Sequence, residues 1–483
     1  MSLLTAKSQD VSAQQTILPN DEYKSLNVIK VSTISDLQTV VNKAVAGDEI
    51  ILKNGIYNLE DFIKVNSKNG NPKNPIIIRA ESVLGATLAG KGSFNITKSS
   101  FIVIKGFKFV GVTASLGSTY HQGLTLKNSN NCRITRNYFK MTDSAKAYWT
   151  LITGDGDDHR IDHNEYADKP SEGCFIVVYG GEKSLSLRTK IDRNYFHGQT
   201  FTGENGGEVM RLGDSKRQNI DAFMIVELNL FEKNTGDVEV ISVKSSSNHI
   251  RFNTLRNNKG SIVLRHGDDN KVEGNFLLDG ENGVRVYGDD HKIIGNYFSG
   301  NFGLNPLTTL AIGNGTQPDL ANGENTYDQP QNVVIAFNTF AANITNVVFG
   351  VRGNVDFPPE NITFANNILS AEKGVLVKFE NQPRNTVWFG NILWGAAENG
   401  DIPQTGFKRI NPNLSNDDHG FYRLKQNSPA IKSAFKSSVF NYLTIDIDGQ
   451  NRVEPKDVGA DQFSNEKIIR RALTPKDVGT NAD

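Results

Sequence analysis

One short phrase recurs along this chain: an apolar residue, two variable positions, asparagine, any residue, then Phe, Tyr or Leu. Its asparagines are Asn137, Asn164, Asn194, Asn229, Asn253, Asn275, Asn296 and Asn338, and more loosely Asn367 and Asn391. The steps through the middle are 24 residues from Asn229 to Asn253, 22 to Asn275 and 21 to Asn296. A unit of that length, rich in β-branched and aromatic residues with Gly and Asn at its corners, cannot bury its apolar face alone and must stack on copies of itself. A leucine-rich solenoid would need Leu-x-x-Leu-x-Leu phrases and a helical half in each unit, and neither is present. The reading is an all-β, single-domain, right-handed parallel β-helix. The asparagines are assigned to structure, since stacked asparagines tolerate left-handed corners and hydrogen-bond to the next coil.

The repeat also sets the organisation. Ser35 precedes Leu37, Val40, Val41 and Ala44, a spacing that predicts an N-capped amphipathic helix over the open end of the core. Residues 1–25 are read as an N-terminal tail and 26–404 as the β-helix with its cap helix and catalytic coils. Residues 405–463 are read as a polar, turn-rich C-terminal cap, and the charged tail 464–483 is expected to be mobile. With 52 basic and 53 acidic residues, no global field favours a polyanion, so an acidic ligand would need a local basic strip. Cys132 and Cys174 lie beside core positions and are expected as buried free thiols. No stretch approaches the roughly 20 apolar residues of a membrane helix. The opening residues Met1 to Asp10 lack the basic-then-apolar pattern of a secretory signal.

Function is sought where the array is interrupted. Asn194 to Asn229 is a 35-residue step, and its insertion runs from Thr202 to Arg217. In the next coil Asp237 and Glu239 stand two apart, so on a strand both carboxylates face one side, with Cα atoms about 6.5 to 7 Å apart. Such a pair suits a hard cation such as calcium, with further oxygen ligands from Asn205 or Glu208; a solvated acidic face has the same spacing. Lys244 and Arg265 are 21 apart, which puts them on adjacent rungs about 4.8 Å apart, in register to within a residue. Stacked cations invite an anion and depress the lysine pKa, as a general base requires; a pair of solvated surface cations is the alternative. His266 titrates near neutrality unless perturbed, and serves either catalysis or a turn. Arg285 would extend the basic strip only with a one-residue shift, because aligning Gly267-Asp-Asp with Gly288-Asp-Asp puts Val286 over Arg265.

Four stretches, in this order and spacing, resemble polysaccharide lyase family six, the alginate lyase and chondroitinase B family. They are Asn205-Gly-Gly-Glu-Val-Met-Arg-Leu-Gly213 with Asn229-Leu-Phe-Glu, Glu239-Val-Ile-Ser-Val-Lys-Ser245, and Gly260-Ser-Ile-Val-Leu-Arg-His-Gly267. The resemblance implies Lys244 as base, Arg265 as its assistant, and Asn205, Asp237 and Glu239 around calcium. It implies an anionic polysaccharide substrate, most of all alginate, contacted by Arg211 and His266, and a periplasmic or secreted enzyme. Asp237 stands where the family carries glutamate, which shortens one ligand arm. Tyr287 or His266 would protonate the leaving oxygen. A dermatan sulfate lyase, an inverting glycoside hydrolase using Asp268 and Asp269, and a noncatalytic carbohydrate-binding β-helix are the competing readings. Asp289-Asp290 repeats the aspartate pair after the same glycine, as a turn would. Neither nucleic acid nor membrane is expected as a partner.

Overall fold

A computed structural model describes residues 23, 25–117, 120–303 and 308–483. The reading of residues 1–25 as a tail therefore falls almost wholly outside the described residues. The chain winds into three long parallel sheets, each coil giving one strand to each sheet. This is the parallel β-helix expected from the repeat, with its core running as one apolar column from Val31 to Ile402. Parallel strands buried on their inner face and joined by short corners account for the runs of Ile, Val and Leu.

The ten phrase asparagines form an unbroken ladder. Each donates from Nδ2 to the Oδ1 of the next at 3.0 to 3.1 Å, from Asn137 to Asn391. That same Oδ1 also accepts the preceding asparagine's backbone N–H at 2.9 to 3.0 Å. The left-handed corner residue, however, is the one before each asparagine, as at Arg136, His163, Arg193, Leu228, Phe252 and Phe337. The asparagine turns inward because its amide satisfies buried backbone groups that an apolar side chain would leave unpaired.

At the N-terminal end the helix Ile34–Lys43 buries Leu37 and Val41 over the first coil. Its cap is Thr33, two residues before the expected Ser35: the Thr33 side chain accepts the Asp36 N–H at 3.0 Å. Preceding it, the strand Asn27–Val31 pairs with Asp48–Leu52 and starts the stack. Cys132 and Cys174 are buried and unpaired with each other. The tail after Phe463, expected to be mobile, instead packs along the solenoid. Leu473 N donates to Thr254 Oγ1 at 2.8 Å, Gly479 N to Arg193 O at 2.9 Å, and Arg136 Nη1 to Ala482 O at 2.6 Å. Its backbone finds partners on the coil corners, which a composition argument cannot see. Among the described residues, no helix is long and apolar enough to cross a membrane.

Candidate active site

Arg211, Glu239, Lys244, Arg265, His266 and Arg285 lie on one sheet, on the strands Met210–Gly213, Glu239–Lys244, Ser261–His266 and Val284–Val286. Asn205, Glu208, Asp237 and Tyr287 flank these strands, so Asp237 does not share a strand face with Glu239 as its spacing implied. Two bulges decide which way their side chains point. Glu239 pairs with Ser261 and Ile241 with Ile262, so Val240 is an extra residue. Val240, Ile241 and Val243 all enter the core, leaving Glu239 and Lys244 on the outer face despite their odd spacing. The second bulge pairs Val243 with Leu264 and Lys244 with His266, making Arg265 the extra residue on its strand. Lys244 therefore faces His266 across the ladder, and the adjacent-rung pairing with Arg265 is corrected by that one residue. A bulge re-aims a side chain without breaking the stack.

The Lys244 side chain, half-buried, makes no hydrogen bond or ion pair with the described residues. Burial, aided by the positive charge of Arg211 and Arg265, lowers its pKa against the opposing pull of Glu239 and Glu208. The neighbouring position Gly213, at φ +84°, admits no side chain, since a Cβ there would come within 2.4 Å of the Lys244 carbonyl oxygen. Arg211 donates from Nη1 to Tyr179 Oη at 2.9 Å and is ion-paired to Glu208.

The acidic groups gather beside this lysine. Asp237 Oδ2 accepts the Gly206 N–H at 2.9 Å and the Gly207 N–H at 3.3 Å, which draws the insertion, and with it the exposed Asn205, toward Asp237. Burial and then the charges of Glu208 and Glu239 push the Asp237 carboxyl up. Glu239 is bound by Arg285, Nη2 to Oε1 2.6 Å. Burial raises the Glu239 pKa, but Arg285, Lys244 and Arg265 outweigh it and hold that carboxyl below its usual range. Arg285 stacks on Val263 rather than Arg265, so it does not extend a cation strip; it folds back onto Glu239. Among the described residues, no three Asp, Glu, His or Cys side chains close around a common point. The donor set is nevertheless all oxygen, and the mutual repulsion at Asp237 is the kind that a hard cation relieves.

His266 is fully buried. Its Nε2 lies 3.2 Å from Asn325 Oδ1, and Nδ1 has no partner. Burial, Arg265 and Lys244 push its pKa down to about 3, so it stays neutral and is no acid at neutral pH. Tyr287 is also buried, its hydroxyl unpartnered and its pKa pushed up to about 12 by burial. Neither is a solvent-exposed contact for a polysaccharide. Asp268 Oδ1 accepts the Asp289 N–H at 3.0 Å, and Asp289 Oδ1 accepts the Gln331 N–H at 3.0 Å. These aspartates serve the corner.

Sequence reasoning missed the segment 314–332. Arg265 donates to the Thr326 carbonyl at 2.5 Å and lies over the Tyr327 ring at 4.5 Å. The signal was available: the ladder step from Asn296 to Asn338 is 42 residues, twice the step of 21 before it.

The family model for chondroitinase B matches residues 31–416. Among solved structures, the chain is similar to the PL6 family alginate lyase AlyGC at 26% identity and TM-score 0.72, covering 83% of this chain and 55% of that one. It thus spans little more than half the length of that lyase. A mannuronic acid specific polysaccharide family 6 lyase from human gut microbiota matches at 24% identity and TM-score 0.68, over 80% of this chain and 91% of that one. The latter likeness shows the shared fold. No curated protein matches the chain. Because the family model spans most of the 483 residues, the chain belongs to the chondroitinase B family, polysaccharide lyase family six.

Proposed function

We propose that this protein is a polysaccharide lyase that cleaves alginate by β-elimination, with Lys244 as the base. The observation that carries the reading is a half-buried lysine side chain without an ion pair, its pKa lowered by burial and by Arg211 and Arg265. A uronate C5 proton is weakly acidic because the adjacent C6 carboxylate is already negative, and removing it adds charge there. Neutral Lys244 Nζ accepts that proton as the C4–O bond breaks and the C4–C5 double bond forms, and the departing oxygen takes up a proton from solvent water. Arg265 offers its remaining N–H groups to the developing charge. Arg211, with Tyr179 behind it, is the substrate-binding cation of the adjoining rung.

Calcium belongs to the same reading, held by Asp237, Glu239 and Asn205, with Glu208 as the alternative ligand. Bound there, it would supply positive charge against the substrate carboxylate. Family membership and the likeness to an alginate lyase support the substrate class, and the family model's name keeps dermatan sulfate in the comparison. Hydrolysis through Asp268 and Asp269 is disfavoured because a corner backbone N–H occupies the Asp268 carboxyl and Asp269 sits 3.8 Å from Lys292 at the same corner. Digestion of alginate, polymannuronate, polyguluronate and dermatan sulfate, followed by ultraviolet absorbance and mass, tests the proposal. Unsaturated uronate ends from the alginate samples are expected. Saturated ends carrying solvent oxygen would overturn elimination, and unsaturated ends from dermatan sulfate alone would overturn the alginate assignment.

A further inference from the structure

The segment 314–332 leaves the coil after the strand Leu310–Gly313 and folds back over the coils that carry the candidate site. Its far end is tied to the turn that follows Met210–Gly213. Gly323 N donates to Ser215 O at 2.7 Å, Asn219 N to Asn322 Oδ1 at 3.0 Å, and Gln218 Nε2 to Ala321 O at 2.5 Å. Its near end closes on itself where Thr316 N donates to Tyr327 O at 2.7 Å and Tyr327 N to Thr316 Oγ1 at 3.1 Å. Between these anchors it presents Asn325, Thr326 and Tyr327 to the bulge.

Arg265 is the residue that the bulge leaves unpaired on the ladder, so the sheet alone does not define its side chain. The segment supplies what the sheet omits. Nη1 of Arg265 donates to Thr326 O at 2.5 Å and Nη2 to Asn325 O at 3.5 Å, and the guanidinium lies over the Tyr327 ring at 4.5 Å. Tyr327 stacks on Tyr287, centroids 4.5 Å apart and planes 21° apart. Tyr287 is in turn fixed by Gly313, where any Cβ would lie 2.0 Å from its ring. Asn325 Oδ1 meets His266 Nε2, so one segment holds both residues of the Arg265-His266 pair.

We infer that residues 314–332 act as a clamp that positions Arg265 for catalysis, with Tyr327 as the principal positioning residue. The inference rests on the lyase reading, in which Arg265 must meet charge that develops only in the transition state. A planar guanidinium held by two carbonyls and a ring face has a defined orientation, whereas a free one on a bulge does not. Tyr327 acts through its ring face, since no hydrogen bond of its hydroxyl enters the contact.

The test compares Tyr327→Ala, Tyr327→Leu, Tyr327→Phe, Arg265→Ala and the Tyr327→Ala/Arg265→Ala pair by steady-state kinetics on alginate. Labelling of Arg265 with phenylglyoxal, mapped by peptide mass, is followed in parallel. The clamp predicts that Tyr327→Ala and Tyr327→Leu lose about 10- to 100-fold in kcat, with KM within about threefold, and that Tyr327→Phe restores turnover. In the Arg265→Ala background the Tyr327→Ala change should cost less than about twofold, because its target is gone. Arg265 should label at least about fivefold faster in the Ala and Leu variants than in wild type or Phe. Equal labelling in every variant, or an undiminished kcat loss in the Arg265→Ala background, would overturn the clamp. Should Tyr327→Ala fail to fold, Tyr327→Leu, which keeps the apolar bulk without the ring face, decides by the same readouts. If the wild type makes no unsaturated ends from any uronate, the lyase reading fails, and the labelling still decides whether Tyr327 holds Arg265.

Discussion

Lys244 stands across the ladder from His266, one rung away, and Arg265 is displaced into the bulge between them. A neutral, buried imidazole thus lies beside the half-buried Lys244 amine, whose pKa is lowered, and two cations are not directly stacked. This favours Lys244 over His266 as the base. Lys244→Ala should cut turnover by about 10² to 10⁴ while the thermal melt stays cooperative, because the side chain lies outside the core. Steady-state kinetics and circular dichroism check both halves. If His266→Ala abolished turnover while Lys244→Ala merely raised KM, the roles would be reversed.

Arg211 lowers the Lys244 pKa through its charge, so its removal has a defined sign. In Arg211→Gln the ammonium form becomes easier to hold and the lysine pKa rises. The ascending limb of kcat/KM against pH should therefore move to higher pH. A limb that stays in place, or moves toward lower pH, would show that Lys244 does not set it.

Calcium gives a separate prediction, because Asp237 is crowded by Glu208 and Glu239. Chelation should remove most activity, and calcium should restore it better than magnesium, whose small octahedral shell tolerates such a site poorly. Asp237→Asn should raise the calcium concentration needed for half-activity. Full turnover after exhaustive chelation would remove calcium from the mechanism.

Asp268, Asp289 and Asp328 meet where segment 314–332 rejoins the coils. Burial and mutual repulsion push Asp289 up to about 8 and Asp328 up to about 7. A carboxyl whose folded-state pKa is raised binds its proton more tightly when folded. The stability it contributes is present below the unfolded value near 4 and is lost as pH rises through about 7 to 8. Asp328→Asn, permanently neutral, should raise the melting temperature at pH 9 by at least about 1 °C more than at pH 5. Equal shifts at both pH values would mean that Asp328 is already ionised throughout.

The solenoid was readable in one dimension because its period is local: each asparagine needs only its counterpart one coil away, and the ladder from Asn137 to Asn391 runs as the phrase spacing implied. The region of the site was readable too, since Lys244, Asp237, Glu239 and Arg211 fall within consecutive coils and the 35-residue step marks them. Which side chain faces which was not readable. Bulges at Val240 and Arg265 each slip the register by one residue, and a one-residue slip sends every later side chain to the opposite face. Nor could residue spacing tie Tyr327 to Arg265, 62 positions away in the chain, or lay residues 464–483 along the coils. Those contacts depend on where an insertion or a tail finds unpaired carbonyls and ring faces, and only the folded surface defines that.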